Sequence, residues 1–275
     1  MKTFHVHLVS DSTGETLVTV ARACLAQFEG TNATEHLWPM VRHTSHLERI
    51  SAGIVAHPGI VLFTLVDERL RTGLLEICRE QGVPWIPVLD PVLAALGNYL
   101  NAQQLHQPGR QHLLDADYFG RIEAINFVMA HDDGQATHDL ENADVVLLGV
   151  SRTSKTPTCI YLGNRGIKAA NIPVVPGCPL PPELETLTKP LVVGLTNDPN
   201  VLIDVRRNRL RMLNQDRETL YTDIEAVKAE VLNARKLYAR HGWPVLDTTR
   251  RSIEETAAAI MQLLAERTSP AKAAK

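Results

Sequence analysis

Two kinds of hydrophobic pattern alternate along the chain. Short, continuous apolar runs are typical of strands buried in a parallel sheet, and they predict strands over 4–9, 59–66, 83–89, 145–148, 170–175, 191–196 and 243–246. Segments with apolar residues at helical spacing separate these runs and predict helices over 17–28, 67–81, 90–100, 116–130, 158–164, 198–213, 222–240 and from 252 onward. Repeated strand–helix alternation indicates an α/β protein with mainly parallel sheets and flanking helices.

A polar stretch interrupts this alternation near the middle of the chain. Residues 101–110 are polar and contain Pro108-Gly109, which is typical of a connection between two units. We therefore predict an N-terminal, Rossmann-like α/β domain over 1–104. The second domain, 105–275, is predicted to contain a nucleotide-binding phosphate loop (P-loop) and the catalytic site.

The phosphate loop is predicted from residues 144–157, where a buried strand leads through a short loop to Lys155 and Thr156. In this layout, backbone N–H groups and the helix dipole favour an anion, and Lys155 supplies a positive charge. Thr156 offers a hydroxyl to phosphate or to a metal ion. The predicted phosphate-binding residues are Gly149, Val150, Ser151, Arg152, Thr153, Ser154, Lys155 and Thr156.

This segment departs from the usual motif at one position. Ser154 stands where the second glycine is expected, and glycine is favoured there because it accepts positive φ and lets the backbone approach phosphate closely. The hydroxyl and guanidinium groups of residues 151–154 can donate hydrogen bonds to phosphate and compensate in part. The alternative interpretation is an ordinary strand-to-helix turn.

Transfer of a phosphoryl group to a hydroxyl also needs a group that accepts its proton. The nearby carboxylates are Asp132, Asp133 and Asp144. Asp144 opens the strand, far from its carboxyl end, so we interpret it as structural. Asp132 and Asp133 lie in a turn that could fold back to the loop, although a plain turn explains Asp-Asp-Gly as well. Asp90 and Asp247 are weaker candidates for a metal-binding carboxylate, and we predict no protein-bound metal.

Composition excludes several classes of protein. Of the 275 residues, 44% are hydrophobic and 21% charged, as in an ordinary globular protein. A net charge of −3 argues against general nucleic-acid binding, and no apolar run approaches the roughly 18 residues that span a bilayer. The four cysteines lack C-x-x-C spacing, so we expect reduced thiols and a cytoplasmic location.

A group of four arginines lies on the helix predicted over 198–213. Arg206, Arg207, Arg209 and Arg211 form either a solvated face or a surface for phosphate or an acidic partner.

Four segments together resemble a known family. Residues 9–16 (VSDSTGET), 131–134 (HDDG), 148–158 (LGVSRTSKTPT) and 168–176 (KAANIPVVP) are similar to the pyruvate, phosphate dikinase regulatory proteins of bacteria and plants. These proteins have relatives that act on phosphoenolpyruvate synthetase. The segments span most of the chain in family order, and serine in place of the second glycine is a known variation in this family.

The resemblance implies a bifunctional enzyme. Such proteins use ADP to phosphorylate a threonine of the dikinase, which inactivates it, and use inorganic phosphate to remove the phosphoryl group as pyrophosphate. By this resemblance Asp133 handles the threonine proton, Lys155 neutralises phosphate charge and Arg152 assists. Mg²⁺ is an additional candidate cofactor, and a homodimer is expected.

The protein target and the activity each have alternatives. The sequence of residues 10–16 resembles the dikinase-directed proteins more than the synthetase-directed ones, so it favours the dikinase as target. A P-loop kinase for a small metabolite and an ADP-sensing adaptor without chemistry remain the other hypotheses.

Overall fold

The computed structural model describes residues 2–105, 116–213 and 220–268. The chain forms two compact units, Met1–Leu113 and Leu114–Lys275. Each unit contains one four-stranded, all-parallel sheet with flanking helices, which confirms the predicted fold class. Residues 106–115 are not among the described residues, and the predicted boundary between 104 and 105 stays a prediction. No helix among the described residues has the length and apolar character needed to cross a membrane.

The first unit is a β/α sheet with the strand order β2-β1-β3-β4. Its strands are β1 (Lys2–Ser10), β2 (Thr31–Trp38), β3 (Gly59–Thr64) and β4 (Trp85–Pro87). Its helices are α1 (Glu15–Leu25), α2 (Thr44–Ala56), α3 (Glu68–Glu80) and α4 (Asp90–Leu100).

Two elements of the first unit were not predicted, and each has a physical explanation. Strand β2 lies at the edge of the sheet, where exposed and half-buried residues largely alternate. It therefore contains no continuous apolar run. Helix α2 does carry a readable signal, because its buried residues Leu47, Ile50 and Ile54 recur at helical spacing.

The second unit has the strand order β6-β5-β7-β8. Its strands are β5 (Val145–Gly149), β6 (Ala169–Pro173), β7 (Leu191–Thr196) and β8 (Val245–Asp247). Its helices are α5 (Ala116–Ala130), α6 (Lys155–Asn164), α7 (Pro199–Met212), α8 (Ile224–His241) and α9 (Ile253–Thr268).

Side-chain caps fix where three helices of the second unit begin. Asp198 Oδ1 accepts hydrogen bonds from the backbone of Asn200 and starts α7, and Asp223 Oδ1 does the same from Ala226 for α8. At the start of α9, Ser252 and Glu255 each accept a hydrogen bond from the backbone N–H of the other, which is a complete capping box.

The topology of the second sheet determines where a ligand can bind. From the fully buried central strand β5 the chain passes to β6 on one side, and later to β7 and β8 on the other. Ligands of open parallel sheets bind at the carboxyl edge where the strand order reverses in this way. This edge lies at Gly149, which is in register with Pro173 on β6 and Leu195 on β7.

Candidate active site

The loop between β5 and α6 begins at Gly149, where no side chain fits. A Cβ atom there would lie 2.3 Å from Thr153 Oγ1 and 3.3 Å from the Leu195 carbonyl oxygen. Thr153 is fully buried and donates a hydrogen bond to the Val150 carbonyl, 3.0 Å away. The absence of a side chain at residue 149 therefore allows the loop to fold tightly over the end of the strand.

Two non-glycine residues of this loop have left-handed backbone conformations. Arg152 has φ 71° and Ser154, the N-cap of α6, has φ 64°. The sequence had indicated that residue 154 needs positive φ, and the structure confirms that conformation. Serine accepts it at a cost of about 1 kcal/mol.

The Ser154→Gly variant should therefore retain or gain stability. Ser154 makes no side-chain capping hydrogen bond, so only strain is removed, and this gain is partly offset by the greater freedom of glycine in the unfolded chain. We expect a gain of up to about 1 kcal/mol in the free energy of unfolding, measured by urea denaturation. Ser151→Gly is the matched control and should lose stability, because Ser151 Oγ is 2.9 Å from Tyr221 Oη. Marked destabilisation by Ser154→Gly would contradict the assigned conformation.

Lys155 is the buried cation of the loop. It is only 6% exposed, and its Nζ donates a hydrogen bond to the Val150 carbonyl oxygen at 3.1 Å. Burial lowers the pKa of Lys155 from 10.5 to about 8, while the negative charges of Asp133 and Asp132 act to raise it. An anion in the loop would oppose the effect of burial in the same way.

A buried arginine donates a hydrogen bond to the backbone of the loop. Arg206 is 1% exposed, and its Nη2 donates to the carbonyl oxygen of Ser151 at 3.1 Å. Its Nη1 donates to Glu230 Oε2 at 2.8 Å and to the Tyr221 carbonyl at 3.1 Å, and the guanidinium lies 4.6 Å from the centroid of the Tyr221 ring. The solvated-face interpretation is thus wrong for Arg206. Arg207, Arg209 and Arg211 are exposed, which both the solvated-face and the binding-surface interpretations expect.

Replacing Arg206 by methionine should strongly destabilise the second unit. The change leaves the half-buried Glu230 carboxylate without its ionic partner, a loss that costs about 3–5 kcal/mol in comparable buried pairs. Arg207→Met, one residue further along the same helix but exposed, should change stability by less than about 0.5 kcal/mol. Equal urea midpoints for the two variants would show that the Arg206–Glu230 pair does not support the fold.

The Asp132-Asp133 turn does fold back onto the start of α6. Thr156 Oγ1 donates to Asp132 Oδ1 at 2.9 Å, and Asn171 Nδ2, on β6, donates to the same carboxylate oxygen. Asn171 Oδ1 also accepts a hydrogen bond from the backbone N–H of Asp133 at 3.1 Å. Asn171 was not predicted to belong to the site, although a polar residue within a buried strand is a readable signal.

The three predicted catalytic residues share one electrostatic environment. Asp133 and Arg152 are both exposed, and both affect the pKa of Lys155, Asp133 by raising it and Arg152 by lowering it. Asp133 has φ 50°, a left-handed conformation that aspartate tolerates better than most residues. The arrangement thus combines a cation, a tight loop with backbone donors and an accessible carboxylate at one sheet edge.

The other candidate carboxylates have structural contacts. Asp144 Oδ2 accepts a hydrogen bond from the Lys168 backbone at 2.9 Å, at the opposite end of β5, which agrees with its structural interpretation. Asp247 accepts one from the Thr249 backbone within a turn. Asp90 belongs to the first unit, where it pairs with Arg71.

In the first unit, the residues after β1 are held by internal hydrogen bonds. Asp11 is buried, and its Oδ2 accepts a hydrogen bond from the Val66 backbone at 2.8 Å. Burial raises the pKa of Asp11. Helix α1 follows Gly14 and has no side-chain capping hydrogen bond.

These features define an α/β protein with a strand–loop–helix turn that contains a buried lysine and lies beside an accessible carboxylate. The chain belongs to the kinase/pyrophosphorylase family, whose model matches residues 6–261. The chain is therefore an enzyme of the phosphotransferase class.

Curated relatives match over nearly the whole chain. A protein of Paramagnetospirillum magneticum is 58% identical over 96% of this chain and 85% of its own length. A protein of Rhizorhabdus wittichii is 55% identical over 98% of both chains, and one of Maricaulis maris is 54% identical over 96% of this chain and 94% of its own. All three are named as pyruvate, phosphate dikinase regulatory proteins.

A solved structure, a periplasmic solute-binding protein from Actinobacillus succinogenes, is 13% identical and covers 97% of this chain and 93% of its own. Its TM-score of 0.25 is too low to indicate a common fold.

Proposed function

We propose that this protein regulates pyruvate, phosphate dikinase by two opposing reactions at one site. In one, ADP phosphorylates a threonine of the dikinase, and in the other inorganic phosphate removes that phosphoryl group as pyrophosphate. The observation that carries the proposal is the convergence of buried Lys155 and the exposed carboxylate of Asp133 at a loop suited to phosphate. The family membership and the names of the relatives support the same reactions.

In the kinase direction, the threonine Oγ attacks the β-phosphorus of ADP. The bond between that phosphorus and the oxygen bridging to the α-phosphate breaks, and AMP leaves. Lys155 and the loop N–H groups offset the negative charge of the transferring group. Asp133 accepts the proton of the threonine hydroxyl. The exposed side chain of Arg152 can donate hydrogen bonds to the oxygens of the phosphoryl group during transfer.

In the reverse regulation, an oxygen of inorganic phosphate attacks the phosphorus of phosphothreonine. Asp133 takes the proton of the attacking phosphate hydroxyl and gives it to the threonine Oγ as the bond to that oxygen breaks, and pyrophosphate leaves. The β-phosphate of ADP and free phosphate are similar anions, so one loop can serve both reactions.

Asp132 acts as a positioning residue in this scheme. Through its contacts with Thr156 and Asn171 it holds the turn that presents Asp133. The Asp132 carboxylate and the Thr156 hydroxyl are also oxygen ligands of the kind that Mg²⁺ prefers, and they would hold the ion together with phosphate oxygens and water. Mg²⁺ would supply additional charge neutralisation.

The names of the relatives and the sequence of residues 10–16 favour the dikinase over phosphoenolpyruvate synthetase as target. The expectation of a homodimer stays a prediction.

The decisive experiment is transfer of label from β-labelled ADP to purified dikinase, repeated with phosphoenolpyruvate synthetase. Label on a threonine of the dikinase, released as pyrophosphate when phosphate is added, is the expected result. Label on the synthetase instead would change the target. Label on a small metabolite, or ADP binding without any transfer, would contradict the proposal in favour of a metabolite kinase or an adaptor.

A further inference from the structure

A cavity lies at the carboxyl edge of the second sheet, beyond the loop. It has a volume of about 580 Å³, within the range of small-ligand sites, and is lined from the turns after β7 and β8 and from α8. We propose that this cavity binds the nucleoside part of ADP, while the threonine approaches the loop from the opposite side. This inference rests on the proposed function and specifies which residues select a nucleotide as donor.

The cationic groups of the cavity suit the flat base and the charged phosphates of a nucleotide. Lys228, Arg235, Arg250 and Arg251 contribute four positive charges. Lys228 pairs with Glu225 at 2.8 Å, whereas Arg250 and Arg251 are exposed. Guanidinium planes stack on aromatic rings and attract phosphate oxygens.

The two acidic groups of the cavity are engaged by the protein itself. Asp198 Oδ1 caps α7, and Asp247 Oδ1 accepts hydrogen bonds from the backbone N–H and the hydroxyl of Thr249. The pKa of Asp247 is lowered because these hydrogen bonds and the charges of Arg235 and Arg251 outweigh the opposing effect of burial. Both carboxylates have oxygens beyond these bonds that can accept hydrogen bonds from ribose hydroxyls, and the four cations leave the cavity net positive.

Apolar surface completes the cavity. The side chains of Val231 and Leu232, on α8, and the ring of Pro199 line it beside the cations. A nucleoside needs this combination, because its base is largely apolar on both faces and its ribose is polar. Inorganic phosphate alone would need none of the apolar wall.

The strand order sets the distance between this cavity and the loop. Strand β7 lies directly beside β5, and β8 directly beside β7, so their ends are separated from the loop by about 5 and 10 Å. This distance suits a nucleotide whose β-phosphate lies in the loop. The Asp132-Asp133 turn contacts Asn171 of β6, on the other side of β5, which leaves that side for the threonine.

The ends of β7 and β8 hold one of these cations in place. Arg235 Nε donates to Thr196 Oγ1 at 3.0 Å, and its Nη2 lies 3.8 Å from Asp247 Oδ2. These contacts hold the guanidinium of Arg235 at the ends of β7 and β8, where it lines the cavity.

The two opposing reactions provide the test, because only the kinase direction uses a nucleoside. We expect Arg250→Ala and Leu232→Trp, which remove a cation and fill the cavity, to raise the KM for ADP about tenfold. The phosphate-dependent reaction should keep its KM for phosphate and its kcat. Arg240→Ala, an exposed arginine of α8 outside the cavity, is the matched control and should change neither reaction. Calorimetry should show weakened ADP binding and unchanged pyrophosphate binding.

Two results would overturn this inference. An unchanged KM for ADP in both cavity variants would show that the nucleoside binds elsewhere. A raised KM for the protein substrate in both directions would show that the cavity binds the dikinase instead. If the unmodified protein transferred no phosphoryl group at all, the proposed function itself would fail, and binding of ADP against pyrophosphate would still test the cavity.

Discussion

Replacing Lys155 by methionine should reduce both the ADP-dependent and the phosphate-dependent reaction by about 10²–10³-fold. Lys155 is the buried cation of the loop, and its charge is needed wherever a phosphoryl group develops negative charge in the transition state. Because the same loop serves ADP and phosphate in the proposed mechanism, the two activities should fall together. Retained phosphate-dependent activity in this variant would show that the reactions use separate sites.

Loss of activity in Lys155→Met should not come from unfolding. Methionine has a similar length, and burying it avoids the cost of burying a charge. Lys236→Met, an exposed position on α8, is the matched control and should leave both reactions unchanged. Urea denaturation of both variants at pH 7 gives the comparison.

The lowered pKa of Lys155 adds a pH dependence to this prediction. Below about pH 8 the lysine is charged and binds anions, and above it the free protein loses this charge, so ADP affinity should fall between pH 7 and pH 9. The free energy of unfolding should change in the opposite direction. Between about pH 8 and the ordinary value of 10.5 the unfolded chain binds more protons than the folded one, so stability rises with pH. Lys155→Met should lack this rise.

The strand–loop–helix layout around Lys155 could be predicted because its signal is local. The apolar run, the lysine and the threonine lie within a dozen consecutive residues, and the structure has the expected strand, turn and helix in that order. The helices over 90–100 and 116–130 were predicted to the residue for the same reason. The order of the strands could not be predicted, because it depends on pairing between distant segments.

Arg206 shows why the support of the loop was missed. Charged helix residues are normally solvated, and its burial depends on Glu230, 24 residues away, and on Tyr221, 15 residues away. One local signal was present, because Arg206 follows the buried residues Leu202 and Ile203 at helical spacing. A charged residue within the apolar stripe of a helix is therefore a better indication of a buried ion pair than the number of charged residues on that helix.

The Asp133→Asn variant should lose phosphoryl transfer in both directions by about 10²–10⁴-fold while it retains ADP binding. Asparagine keeps the size of the side chain and the left-handed backbone that residue 133 needs, so the turn and its hydrogen bond to Asn171 should persist. The amide cannot accept the threonine proton or return it, so both reactions lose the same step. Calorimetric titration with ADP, beside label transfer to the dikinase, separates binding from chemistry.

The neighbouring carboxylate provides the comparison that makes this assignment testable. In Asp132→Asn the amide oxygen can still accept the hydrogen bond from Thr156 and can still bind Mg²⁺, so the turn should stay in place and activity should fall much less. If Asp132→Asn instead showed the larger loss with ADP binding retained, Asp132 would be the proton acceptor and Asp133 would not. If Asp133→Asn kept full regulatory effect on the dikinase, no proton transfer would be needed at this turn, and a non-catalytic ADP sensor would become the better explanation. The two variants therefore separate the chemical role of Asp133 from the positioning role of Asp132, although the residues are adjacent in sequence.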